Sequence, residues 1–193
     1  MKDYYVITDF ESTGLKVGKN DVPIEIGMIL VDEEYNVLEI LYSYINPFNE
    51  NDPSGTTEIK SAWTEYEQKA LRVHKIPFKT IVEQGKSPRE IISMIDELLS
   101  TVRDSDTRNN IRIIIMSDNG RFEYSCMEKL YELAGKEENF PFHYAAWDVN
   151  ILINSVQKVP KGKGSHKALQ DAFRTHKAVL RALERNTFRK WEK

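Results

Sequence analysis

The sequence predicts a layered domain of α/β or α+β type, built on a mixed sheet with helices packed against it. Three observations carry that reading. Residues 4–45 hold three β-branched and aromatic runs separated by polar turns, the pattern of consecutive antiparallel strands. Helical spacing dominates the chain beyond residue 60. Within it lies one short β-branched run, residues 111–116, of the kind found in a strand buried on both faces.

The first strand is predicted over residues 4–10, Tyr-Tyr-Val-Ile-Thr-Asp-Phe, and is broken by Ser12-Thr13-Gly14-Leu15 and by residues 18–20. Strands over 24–31 and 37–45 come next, joined by the polar turn 32–36, with Pro47 ending the third. Residues 49–55 read as a loop rich in Asn, Asp and Pro. One helix is expected within 62–73. A second begins near Pro88, with Ser87 as N-cap and Ile91, Ile92, Ile95, Leu98 and Leu99 on one face. Helical spacing resumes over 122–134 through Met127, Leu130 and Leu133. A shorter helix is expected over 147–156, a Lys/Gly loop over 158–164, and a final helix from Lys167 to about Phe188. No repeat or low-complexity tract interrupts the pattern, so residues 1–193 read as a single domain.

With 193 residues, the chain is long enough to bury roughly 70% of the surface it exposes when unfolded. No apolar run approaches the roughly 18 residues of a membrane span, and the N-terminus lacks a signal-peptide layout. One cysteine, Cys126, excludes an intrachain disulfide and a cysteine-built zinc site, and fits a reducing, cytoplasmic setting. The net charge of −3 conceals a division: residues 157–193 carry 11 Lys/Arg against 3 Asp/Glu, and the preceding residues carry 16 against 27. A basic segment beside an acidic body would bring phosphate-binding and cation-binding surfaces together.

The chemistry-bearing residues fall into three groups. Asp9 and Glu11 close the first strand, and alternate strand residues point to one face. Two carboxylates held that close repel unless a cation lies between them, and hard oxygen ligands suit Mg²⁺ or Mn²⁺. Asp118-Asn119-Gly120-Arg121-Phe122-Glu123 comes directly after the buried strand and opens a helix, a favoured place for function in open α/β sheets. His166 and Asp171 are five residues apart and would diverge on one helix, so Asp171 is placed on the last helix and His166 on the loop before it. A loop imidazole, titrating near neutral pH, suits a general base.

In this order, Asp-x-Glu, then Asn-x-x-Phe-Glu, then His-x4-Asp, the chain resembles the DEDDh (DnaQ-like) 3′–5′ exonucleases. The likeness runs from Tyr4 to about Leu183. Residues 8–15 are similar to the family's first motif, 119–123 to its second and 166–172 to its third, and 70–76 to a segment between the first two. Glu123 departs from the Asp usual in the second motif. The short stretch between Asp148 and His166 is similar to compact phage and bacterial exoribonuclease-like members.

The resemblance implies an α/β, ribonuclease-H-like three-layer fold whose mixed central sheet combines three antiparallel strands with parallel ones. It implies hydrolysis of single-stranded RNA or DNA from the 3′ end to nucleoside 5′-monophosphates, with two Mg²⁺ or Mn²⁺ ions per site. Asp9, Glu11 and Asp171 would hold one ion, Asp9 with Glu123 the other, and His166 would be the general base. Phe10 (through its backbone), Thr13, Gly14, Leu15, His74, Asn119 and Phe122 are the substrate-binding candidates. Lys161, Lys163 and Lys167 would meet phosphates further along the strand. The alternative is a silent nucleic-acid-binding module of the same fold, supported by Glu123 alone.

Overall fold

The structure is a computed structural model that describes residues 1–17, 21–47, 71–105, 111–150 and 165–184. Its frame is a five-stranded sheet in the order β3-β2-β1-β4-β5, with β1 (Lys2–Ser12), β2 (Pro23–Val31), β3 (Val37–Tyr44), β4 (Ile111–Ser117) and β5 (Trp147–Asp148). β1–β2 and β2–β3 are antiparallel pairs, whereas β1–β4 and β4–β5 are parallel. The mixed sheet is therefore the one expected, with β1 at its centre. Asp3 and Arg112 are paired in the β1–β4 register, and the guanidinium donates to both carboxylate oxygens at 2.8 and 2.5 Å.

Alternation along β1 explains the layers. Tyr4, Val6 and Phe10 join Ile113 and Ile115 in the core under α2 (Pro88–Ser105) and α3 (Gly120–Ala134). Tyr5 and Ile7 join Ile114 and Met116 on the other face, under α4 (Ala168–Glu184), with Ala172, Val179 and Ala182 packing down on them. β4 is thus apolar on both faces because helices cover both. Ser87 and Glu90 form a reciprocal cap: the Glu90 amide donates to Ser87 Oγ at 3.3 Å and the Ser87 amide to Glu90 Oε2 at 2.8 Å, with Pro88 at the first helical position.

Three local readings change. Trp147 and Asp148, expected to open a helix, are instead a two-residue parallel strand paired with Met116 and Ser117. So short a strand has no periodicity of its own, and only the exposed edge of β4 creates it. Residues 149–150 are helical, and 151–156 lie outside the described residues. The helix α1 (Phe78–Gln84) has no counterpart among the expected elements; it buries only Ile81 and so has no apolar stripe to announce it. Residues 71–74 are helical, as expected for the end of the 62–73 segment, whose remainder is outside the described residues. Among the described residues, no helix is long and apolar enough to cross a membrane.

Gly27 sets where α4 begins. A Cβ at this position would sit 2.2 Å from the Leu169 amide nitrogen and 2.3 Å from its Cα. Glycine lets β2 touch the first turn of α4 directly. Beside it, Glu25 Oε2 accepts from the Ala168 amide at 3.1 Å, satisfying one of the helix's free N–H groups from the sheet.

Candidate active site

β1 supplies Asp9 and Glu11 on the α4 side, while the Phe10 ring between them turns into the opposite core. The first turn of α4 supplies Asp171, a buried carboxylate that shapes the loop before it. Asp171 Oδ1 accepts from the Ser165 amide at 2.9 Å and the Ser165 hydroxyl at 3.2 Å, and Oδ2 from the His166 amide at 2.9 Å. These bonds hold His166 in the left-handed region, at φ 53°. Together they bring one oxygen each of Asp9, Glu11 and Asp171 within 4.8 Å of one another. His166 Nδ1 lies 3.8 Å from Glu11 Oε1, with about half its side chain exposed.

Glu123 approaches from the other layer. Asn119 caps α3, its side chain accepting from the Phe122 amide, so the first turn of that helix stands at the end of β4. β1 and β4 pair only as far as Ile7–Met116. Beyond that pair the Phe10 amide donates to the Glu123 carboxylate. Glu123 Oε2 is buried and has no partner among the described residues.

So many anions in one place strain their ionisation. Burial, then Asp171 and Glu11, push the Asp9 carboxyl far above the usual carboxylate range. Burial, then Glu25 and Asp171, push Glu11 up to about 8. Burial, then Asp9, raise Glu123 as well. Arg174 offsets this charge by direct pairing only at Asp171, and Glu123 Oε2, unpartnered among the described residues, adds an acceptor. Hard oxygen donors at this spacing, short of positive charge, fit a divalent cation such as Mg²⁺ or Mn²⁺.

The cluster lines one wall of an open cavity of about 820 Å³. Thr13, Gly14 and Leu15 form another part of its wall, on a loop laced to Asp21: the Lys16 amide donates to Asp21 Oδ2 at 2.6 Å, and the Val22 amide to Thr13 Oγ1 at 3.0 Å. A Cβ on Gly14 would lie 2.6 Å from Asp21 Oδ2, so a larger residue there would have to push the Asp21 carboxylate aside. Leu15 is 87% exposed at the mouth. His74 and Phe122 also line it. The His74 Nδ1 accepts from the Ile76 amide at 3.0 Å, which leaves the hydrogen on Nε2, a buried atom without a partner among the described residues. Burial, then His166, pull His74 down to about 4, so it is neutral.

The structure therefore gathers Asp9, Glu11, Asp171 and His166, with Glu123 behind Asp9, and places Phe10, Thr13, Gly14, Leu15, His74 and Phe122 on the same cavity. Asn119 lines an adjoining cavity of about 530 Å³ and is first of all a helix cap. Lys167 is exposed beside His166, while Lys161 and Lys163 lie outside the described residues. Two participants have no place among the sequence candidates. Glu25 faces Glu11 across β1–β2 and is held by the Tyr42 hydroxyl at 2.7 Å. Arg174 donates to Asp171 Oδ1 at 2.6 Å and to Asp118 Oδ2 at 3.2 Å. Arg174 stands one helical turn after Asp171, which is a usable signal; Glu25 has none.

The RNase_T exonuclease family model matches residues 6–179. No curated protein sequence matches the chain. Among solved structures, the zinc-bound complex of E. coli exonuclease I with single-stranded DNA superposes with a TM-score of 0.68 at 14% identity, over 97% of this chain and 42% of that one. The chain thus spans well under half the length of exonuclease I. The nuclease domain of 3′hExo, a DEDDh family member bound to rAMP, superposes with a TM-score of 0.68 at 12% identity, over 100% of this chain and 97% of that domain. These likenesses carry the fold, the mixed-sheet, ribonuclease-H-like architecture.

Proposed function

The chain belongs to the RNase_T exonuclease family as a DEDDh-type member, and on that premise we propose that it is an active, metal-dependent 3′–5′ exonuclease of single-stranded nucleic acid. The observation that carries this reading is the convergence of Asp9, Glu11 and Asp171 within 4.8 Å, beside a half-exposed histidine in an open cavity. Asp9, Glu11 and Asp171 would hold one divalent cation, and Asp9 with Glu123 a second. A pair of such ions supplies a nucleophile at neutral pH and stabilises the leaving oxygen during in-line displacement.

The chain's own groups do the rest. His166, exposed on its loop and anchored by Asp171, takes the proton from the attacking water. The water oxygen bonds to phosphorus, the bond to the 3′ oxygen breaks, that oxygen stays on the shortened strand and takes a proton from solvent, and a nucleoside 5′-monophosphate leaves. Leu15 and Phe122 offer apolar surface to the bases, and His74 Nε2 offers a hydrogen-bond donor to the terminal nucleotide. Lys161, Lys163 and Lys167 would contact phosphates. Structures of exonuclease I with single-stranded oligonucleotides support this substrate class.

The test is degradation of 5′-labelled RNA and DNA oligomers with and without Mg²⁺, by the natural chain and by Asp9→Asn. Mononucleotide release that needs Mg²⁺ and vanishes in a folded Asp9→Asn protein is expected. Unchanged Mg²⁺-dependent release by Asp9→Asn would remove the two-metal reading.

A further inference from the structure

Arg174 has no part in the hydrolytic mechanism, yet its guanidinium lies in the middle of the site. It is partly exposed, lines the cavity, and is gripped at both ends: Nη1 donates to Asp171 Oδ1 at 2.6 Å, Nη2 to Asp118 Oδ2 at 3.2 Å. Asp118 is itself fixed, since its other oxygen accepts from Thr175 Oγ1 at 3.1 Å. Asp171 Oδ1 meanwhile receives three donors, more than its two lone pairs accommodate: the Ser165 amide, the Ser165 hydroxyl and Arg174. Of these, the guanidinium can leave without disturbing the backbone.

A dication on Asp171 would repel a guanidinium bound to the same carboxylate, and the Asp118 anchor offers the guanidinium a retreat that keeps it on the cavity wall. Resting on the exonuclease reading, we propose that Arg174 is a metal-gated phosphate contact: it holds Asp171 until a divalent cation takes that carboxylate, then, still anchored on Asp118, turns its freed N–H groups to a phosphate of the bound strand. A forked guanidinium suits this hand-over, because one edge can stay on a carboxylate while the other meets a phosphate. The arrangement links the two occupancies, so that the phosphate contact becomes available only once the metal is in place.

The test reads metal and strand separately. Mn²⁺ binding to the full chain is followed by calorimetry, and binding of a phosphorothioate-linked oligothymidylate by anisotropy, for the natural chain, Arg174→Gln and Arg174→Lys. Losing one charge-assisted bond corresponds to roughly a tenfold change. Arg174→Gln is therefore expected to bind Mn²⁺ about tenfold more tightly and, at saturating Mn²⁺, the oligomer about tenfold more weakly. Arg174→Lys keeps the charge but not the fork. It should fall between the two on both measurements, and it carries the test if the glutamine variant does not fold. Mn²⁺ affinity equal to or below that of the natural chain, or unchanged oligomer affinity, overturns the proposal. An oligomer bound but never degraded in its ordinary phosphodiester form sinks the exonuclease reading alone; normal degradation with identical Mn²⁺ isotherms sinks the Arg174 assignment alone.

Discussion

Replacing Gly27 with alanine would probe how tightly the sheet positions the last carboxylate. The added Cβ would meet the Leu169 amide nitrogen at 2.2 Å and the Ala168 carbonyl carbon at 2.4 Å, where ordinary contact begins at 3.4 Å. These are backbone atoms, so no side chain can swing aside, and the start of α4 must retreat by about 1 Å. Overpacking of this kind costs about 2 kcal/mol, which for a chain of this size lowers Tm by roughly 4–8 °C. Asp171 and the loop bearing His166 ride on the same turn. A shift of about 1 Å in a reacting group is worth roughly a hundredfold in rate. The assay pairs a thermal melt with single-turnover degradation at saturating Mg²⁺. Expected are the lower Tm and a rate reduced by about 10². A melt that falls while turnover stays unchanged would refute the claim that β2 sets the geometry of the site through α4; an unchanged melt would refute the contact itself.

Other outcomes rest on the same geometry. In the metal-free protein, Glu11 at about 8 and Asp9 also raised mean that the native state binds more protons than the unfolded one below that pH. Stability is therefore lost as pH rises from about 4.5 to about 8 and levels off above that, and Tm should fall most clearly between about pH 6.5 and 8. His74, depressed to about 4 from 6.5, acts in the opposite sense but only at lower pH, outside that range. Mg²⁺ should reverse the fall, increasingly so as pH rises, because its ligands must shed protons; a metal-free Tm that climbs over the same pH range contradicts this. His166→Ala should lower single-turnover rates by about 10² to 10⁴ with calorimetric metal affinity nearly unchanged, and loss of metal binding would mean that the histidine has another role. Glu123→Asp draws the carboxylate back from the Phe10 amide, so activity should fall or at best hold. A gain of about tenfold, about 1.4 kcal/mol, would mark Glu123 as a defect and favour a silent binding module.

What the sequence disclosed depended on whether the signal was local. Asp9 and Glu11 were legible because strand alternation sends both to one face, and Asp171 because His166 needed a loop rather than the same helix. The strands from Lys2 to Tyr44 and the helices after Pro88 and Gly120 announced themselves through composition, caps and periodicity. β5 and α1 did not, because each depends on a neighbour for its existence. Glu25, and the Asp118 side of the Arg174 contact, were hidden for a related reason. Glu25 matters only because Gly27 lets α4 land beside it, and Arg174 only because β4 ends where Asp118 can receive it. No spacing along the chain encodes either meeting.

The division of the carboxylates between β1, α3 and α4 also sets an order of appearance during synthesis. Asp9 and Glu11 emerge with the first strand, but the residue that completes the cluster, Asp171, belongs to the last described helix. At ordinary elongation rates the interval is on the order of ten seconds or more. A sheet of β1 to β4 can gather in that time around its own apolar residues. Until α4 docks against β2, however, it lacks Asp171, the anchored His166 and one wall of the cavity. On this layout the carboxylate cluster is incomplete in the nascent chain and closes only once α4 has been made.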